Sequence, residues 1–268
     1  MAARRRGKIG AMPEPTAPPT QPPRLREPRP AAPRSRTAAP AAVVSRTVVS
    51  RSAVSRAVGP LVPGAAVSRA VGPLVPGAAD PAAQLAAHRR VLDASAALLP
   101  AVLEAARALV EVFAGGGRLY TFGNGGSAAD AQHLSGEFVG RYLRDRVPLP
   151  AHALTVDASV LTCIANDFDP TVVFARQVRA FVGPGDMVAG FTTSGRSPNV
   201  VEGLRAARDQ GAVTLLFGGA GADGSGGAAA AYADHLLLVP SLETARIQEM
   251  HVLLLHLLSE QVDAWAPA

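Results

Sequence analysis

Two polar turns and a handful of imidazole, carboxylate and amide side chains carry the chemistry this sequence offers. The first turn lies in Tyr120-Thr-Phe-Gly-Asn-Gly-Gly-Ser-Ala-Ala-Asp-Ala-Gln-His-Leu-Ser-Gly-Glu137, where an apolar strand end runs into glycines and the glycines open a helix. Glycine tolerates positive φ and lets a ligand approach the backbone. A helix N-terminus offers free N–H groups and the positive end of its dipole to an anion. The competing reading is an ordinary tight turn with Ser127 as N-cap. The second turn is Thr192-Thr-Ser-Gly-Arg-Ser-Pro-Asn199, again between an apolar run and a helix. Its Thr and Ser hydroxyls, with Pro198 at a helix start, can surround a phosphate; the alternative is a solubilising polar loop. The second turn has neither the glycine spacing of a dinucleotide fingerprint nor the Gly-Lys-Ser/Thr of a Walker loop, and no nucleotide cofactor is expected.

His133 and Glu137 are four residues apart and share a helix face. The last long helical pattern carries Gln248, His251 and His256, with Gln248 and His256 about two turns apart. Two such helices could bring His, Glu, Gln and His together, either around a divalent ion or for acid/base work without one. A single His on an apolar helix also reads as a hydrogen-bonded core residue, and His251 keeps that reading. Asn166 and Asp167 could bind sugar hydroxyls or form a turn. Together these residues point to an enzyme acting on a phosphorylated small molecule.

The elements that must position them alternate. Strands are predicted over 118–122, 151–156, 186–191, 213–217 and 235–239, and helices over 127–142, 171–182, 198–210 and 242–264. Residues 81–113 read as one or two helices, with Pro100 as a break or first-turn residue. Residues 218–231 read as a loop with one helical turn at most. Strands spaced by helices predict a single α/β domain with a mainly parallel five-stranded sheet, Rossmann-like and three-layered. In such sheets ligands bind beyond the carboxyl ends of the strands, where both turns fall.

That domain is expected over residues 80–268, behind a tail of residues 1–79. The tail holds 14 of the 23 prolines, and thirteen Lys and Arg against two acids, Glu14 and Glu27, for a net +11. The remainder is −6, from thirteen against nineteen. The tail has no Phe, Tyr or Trp, repeats Ala53–Ala65 as Ala66–Ala78, and predicts a disordered segment. A start codon placed too far upstream and a polyanion-binding basic arm are the alternatives. Without aromatics among the arginines, no specific nucleic-acid partner is expected. Cys163 is the only cysteine, which excludes an intrachain disulfide and suits a cytoplasmic location. The sequence has no apolar run of membrane-spanning length, so no membrane partner is expected.

Five segments together resemble the phosphoheptose isomerase family of sugar isomerase (SIS) domain proteins. They are Gly123-Asn-Gly-Gly-Ser-Ala-Ala-Asp-Ala-Gln-His133, Ala165-Asn-Asp-Phe168, Phe174-Ala-Arg-Gln-Val178, Thr193-Ser-Gly-Arg-Ser-Pro-Asn-Val200 and Thr244-Ala-Arg-Ile-Gln-Glu-Met-His251. The resemblance covers roughly residues 85–265 and implies a single SIS domain. It implies Glu137 and His256 as catalytic residues. It implies zinc as cofactor, one ion per active site, with His133, Glu137, Gln248 and His256 as ligands. Substrate contacts fall on Asn124, Gly125, Glu137, Asn166, Asp167, Thr192, Thr193, Ser194, Ser197 and Gln248. A homotetramer with active sites at subunit interfaces is implied as well.

The implied reaction interconverts sedoheptulose 7-phosphate and D-glycero-D-manno-heptose 7-phosphate through an enediol, feeding activated-heptose biosynthesis. Three departures stand out: Thr192 replaces a usual Ser, Arg196 a usual Asn, and Leu216-Phe-Gly218 a usual Leu-Thr-Gly. The alternative is a non-catalytic relative of the same fold that binds a replication initiator or senses sugar phosphates. Such initiator-binding relatives lack the glutamate and the final histidine that stand here at 137 and 256.

Overall fold

The structure, a computed structural model, describes residues 78–268. The reading of residues 1–79 as a disordered tail falls, but for its last two residues, outside the described residues. Near the start of the described residues, the Asp80 carboxylate accepts a hydrogen bond from the Ala82 N–H at 3.0 Å and caps the first helix, α1 (Pro81–Ser95). A 3₁₀ turn over Ala96–Leu98 leads into α2 (Leu99–Ala114), with Pro100 in its first turn, where a missing N–H costs nothing.

The chain then alternates: β1 (Leu119–Gly123), α3 (Gly126–Val139), β2 (Ala151–Ala153), α4 (Ala158–Asp167), α5 (Val173–Phe181), β3 (Met187–Thr192), α6 (Pro198–Asp209), β4 (Val213–Gly219), β5 (His235–Val239) and α7 (Thr244–Trp265). The sheet has strand order β2-β1-β3-β4-β5, and all its pairings are parallel. Side chains alternate across it, as strand geometry demands. Leu119, Met187, Ala189, Phe191, Leu215 and Phe217 pack under α2, α3 and α7. Tyr120, Phe122, Val188 and Leu216 pack under α5 and α6. Burial on both faces explains why these strands read as continuous apolar runs.

Four sequence expectations change. Residues 158–167 form a helix, α4, that the sequence did not announce. Its apolar stripe is short, with Val160 and Leu161 partly buried and only Ile164 buried against the core, and its other signal is Asp157, whose carboxylate accepts from the Val160 N–H at 3.0 Å. The strand expected over 151–156 stops at Ala153, because this edge strand pairs only with Leu119–Thr121. The helix expected over 127–142 ends at Val139, and Gly140 turns the chain out of helical geometry (φ −81°, ψ −110°). The strand expected to end at 217 continues to Gly219, after which a loop leads to a 3₁₀ turn over Ala228–Tyr232.

Candidate active site

Both polar turns sit at carboxyl ends of neighbouring strands, β1 and β3, and they face each other. The glycine turn needs its glycines: Gly125 has φ +57° and ψ −122°, a conformation closed to residues with a Cβ. Neither α3 nor α6 has a side-chain cap, so Ser127 is not the N-cap that the plain turn reading required. Asn124 and Asn199 exchange two amide hydrogen bonds of 2.9 Å each and tie one turn to the other. The hydroxyl of Thr192 lies 3.3 Å from that of Ser197. Ser194 Oγ accepts from the Arg196 N–H at 3.2 Å.

These residues enclose a cavity of about 200 Å³, lined by Asn124 and Ser127 from the first turn, Thr192, Thr193 and Ser197 from the second, and Thr244 and Gln248 from α7. Gln248 also packs on the glycine turn, its amide nitrogen 2.6 Å from where a Cβ on Gly126 would stand. The segment after β4 closes over the second turn. Ala229 N–H donates to the Gly195 carbonyl at 3.0 Å, and a Cβ on Gly195 (φ +63°) would meet the Gly226 carbonyl oxygen at 1.9 Å. Larger cavities of about 320 and 650 Å³ lie at the amino ends of the strands, and one of about 270 Å³ lies between α2 and α7.

Farther along α3 and α7, two imidazoles and a carboxylate converge. His133 Nε2 is 2.9 Å from Glu137 Oε1, and His256 Nε2 is 3.2 Å from His133 Nε2. One ligand atom from each of the three lies within 4.8 Å of the others. Ligands of a tetrahedral zinc ion, held at roughly 2.0–2.2 Å, stand about 3.3 Å from one another. The donor types and spacings therefore fit zinc. Glu137 is 15% exposed at its side chain and His133 39%, so the group is reachable from solvent. Burial holds the His256 imidazole below its ordinary range, His133 adds to the lowering, and Glu137 opposes it.

Tyr142 and Asp130, which the sequence did not single out, lie near this centre, and His251 is the hydrogen-bonded core residue expected of it. The Tyr142 ring stacks on His256 with centroids 5.5 Å apart and planes at 28°. Asp130, on α3, is buried, and desolvation raises its carboxyl to about 6 against a smaller opposing effect of His133. His251 is fully buried between Phe191 and Phe217; it donates from Nε2 to the Gly218 carbonyl at 3.3 Å, and burial lowers it to about 4. Asp130 Oδ2 and His251 Nδ1 stand 4.0 Å apart, each without a hydrogen-bond partner. Asn166 and Asp167 are exposed at the end of α4, and their side-chain hydrogen bonds run to each other and to Cys163. The structure therefore brings Gln248 to the two turns at the cavity, and His133, Glu137 and His256 together farther along α3 and α7; Gln248, about two helical turns from His256, stands with the first set and not the second, while Asn166 and Asp167 bond only within α4.

Comparison with known proteins agrees with this geometry. Residues 85–217 match the model of the SIS domain. The chain is 54% identical over 159 residues to a phosphoheptose isomerase of Solidesulfovibrio magneticus, covering 59% of this chain and 76% of that one. It is 50% identical over 184 residues to one of Paramagnetospirillum magneticum, covering 68% and 94%. Among solved structures, the phosphoheptose isomerase of Neisseria gonorrhoeae superposes with a TM-score of 0.64 at 38% identity, covering 68% of this chain and 96% of that one. That of Francisella tularensis gives 0.65 at 34%, with the same coverage.

Proposed function

Because the chain belongs to the phosphoheptose isomerase family and is an aldose–ketose isomerase, we propose that it interconverts sedoheptulose 7-phosphate and D-glycero-D-manno-heptose 7-phosphate at the seam of α3 and α7. The observation that carries the proposal is the layout of that seam. A hydroxyl-lined cavity and a His–Glu–His group stand on the same two helices.

The cavity takes the phosphate. Thr192, Thr193, Ser194 and Ser197 offer hydroxyls, and Asn124 and Gly125 lie where the uncapped start of α3 presents backbone N–H groups. Phosphate held there positions the reacting carbons without taking part in the chemistry. Asn166 and Asp167 belong to the substrate contacts in this reading, reaching sugar hydroxyls from the end of α4.

Glu137 is the base. It removes the proton from the carbon beside the carbonyl, an enediol results, and the proton returns to the neighbouring carbon. His256 is the second acid/base group and serves the oxygens; burial keeps its imidazole neutral and able to move a proton at neutral pH. His133, Glu137, Gln248 and His256 would hold zinc, which when bound polarises the carbonyl oxygen as a Lewis acid.

The catalytic unit is residues 80–268, and we place it in a cytoplasmic homotetramer. Exposed Leu85, Leu92, Leu99 and Leu103 on α1 and α2 support assembly. Cys163, exposed and unpaired, suits a reducing compartment. Incubating purified protein with sedoheptulose 7-phosphate and separating the sugar phosphates tests the reaction. Appearance of the aldose is expected; an unchanged ketose with folded, metal-replete protein would refute it.

A further inference from the structure

The segment between α3 and β2 belongs to neither helix nor strand, yet it is held at every turn. Leu143 and Arg144 N–H groups donate to Asp263 Oδ2 at 3.2 and 2.8 Å. The Arg144 guanidinium donates to the carbonyls of Asp263 and Ala264 at 2.8 and 3.0 Å, satisfying orphan acceptors at the end of α7. Arg146 Nε donates to Asp263 Oδ1 at 2.8 Å, and both side chains are buried. Its other nitrogens donate to the carbonyls of Glu137, Phe138 and Val147 at 2.7, 2.9 and 2.9 Å. One buried ion pair thus ties the end of the helix carrying Glu137 to the helix carrying His256.

Ordering an irregular segment costs chain entropy, so its anchoring must fix something. What it presents is Tyr142, the residue just before the two N–H groups that Asp263 accepts. The Tyr142 ring lies against His256 on one side, while His133 meets His256 edge-on, centroids 4.9 Å apart and planes at 80°. An imidazole bracketed by two rings in different orientations has little freedom to turn about its own axis.

We propose that Tyr142 is a positioning residue for His256: its ring sets the plane of the imidazole, and the Arg146–Asp263 pair holds the segment that presents it. The proposal rests on the reading of His256 as an acid/base group. Tyr142 is only half-buried, so its truncation leaves the fold standing.

The full-length wild type and two variants, Tyr142→Phe and Tyr142→Ala, decide the matter. Tyr142→Ala is expected to lower kcat about tenfold, the change in population that losing one aromatic pair brings, with KM unmoved and Tm lowered by only about a few degrees. Tyr142→Phe, which keeps the ring, is expected to restore most of kcat. In substrate-free protein, the His256 ring C–H resonances should shift in Tyr142→Ala and stay in place in Tyr142→Phe. Unchanged kcat and unshifted resonances in Tyr142→Ala would overturn the proposal. So would a Tyr142→Phe variant as impaired as Tyr142→Ala, since the hydroxyl and not the ring would then matter. If wild type fails to turn over sedoheptulose 7-phosphate, the functional reading falls, while the resonance shifts still judge the ring contact.

Discussion

His133 and His256, 123 residues apart in sequence, point their Nε2 atoms at each other across 3.2 Å, and Glu137 Oε1 stands 2.9 Å from the first of them. An ionised carboxylate only accepts, and a neutral imidazole nitrogen either donates or accepts. One proton on His133 Nε2 must serve both neighbours. The same three atoms with their lone pairs turned inward would suit a cation better.

Zinc is accordingly expected at about one ion per active site in protein as purified, since two imidazoles and a carboxylate match its preferred ligands. Elemental analysis of the purified protein measures it. Chelation should lower turnover, and metal-free protein with full turnover would remove zinc from the mechanism.

The acid/base roles predict a second outcome. Glu137→Gln and His256→Gln each keep size and polarity while removing a titratable group. Each should cut kcat by about two to four orders of magnitude, the usual worth of one acid/base group. Circular dichroism should show both folded. Near-normal turnover in the two variants would show that the proton moves through other groups.

The Arg146–Asp263 pair predicts a stability effect. Its side chains are 0% and 3% exposed, so removing one partner leaves a buried charge unpaired. Asp263→Ala should destabilise by about 3–5 kcal/mol, the range for breaking a buried pair. Asp263→Asn, which keeps acceptors for Leu143 and Arg144, should cost less. Denaturant unfolding of the three proteins gives the order, and equal stabilities would mean that water reaches the pair.

Asp130 predicts how stability changes with pH. Its carboxyl sits at about 6 in the fold against an ordinary 3.8, raised by burial. The folded state thus binds the extra proton, and this group lowers stability as pH rises from about 4 to above 6. His251, lowered to about 4, acts oppositely and loses stability as pH falls below its ordinary 6.5. Asp130→Asn removes only the first effect. With chelator present, its stability relative to wild type should be greater at pH 8 than at pH 4.5, by at most about 2 kcal/mol. A relative stability independent of pH would show that Asp130 is solvated.

Much of this architecture was legible in the sequence, for identifiable reasons. Strands buried on both faces read as apolar runs, and the Gly-rich and Ser/Thr-rich turns break those runs where each strand ends. His133 and Glu137 could be paired from their spacing alone. That His256 could meet them was open from helix spacing and implied by the family resemblance, and the packing of α7 on α3 brings it there. The helix at Ala158–Asp167 was missed because its apolar face is short, Val160, Leu161 and Ile164, with only Ile164 buried. Tyr142, Arg146 and Asp263 gave no signal either: they work through a segment without periodicity and through partners more than a hundred residues away.

Assembly gives the final prediction. Leu85, Leu92, Leu99 and Leu103 on α1 and α2 are each between 39% and 50% exposed, an unusual amount of apolar surface for helices beside a core. Burying it against further copies in a closed symmetric assembly is the common solution, and a dimer of dimers is a frequent form. Light scattering should therefore give the mass of a tetramer, and a monomer at working concentration would contradict the assembly. The composition of each active site is a separate matter. Within one chain His133, Glu137 and His256 already converge. If that single-chain group is the working centre, Glu137→Gln protein mixed with His256→Gln protein, under conditions that exchange subunits, yields no site with both groups and no activity. If instead the centre pairs Glu137 of one protomer with His256 of its partner, mixed assemblies contain intact sites and regain part of the turnover. The short His133–His256 distance argues for the first outcome, and recovered activity would overturn it.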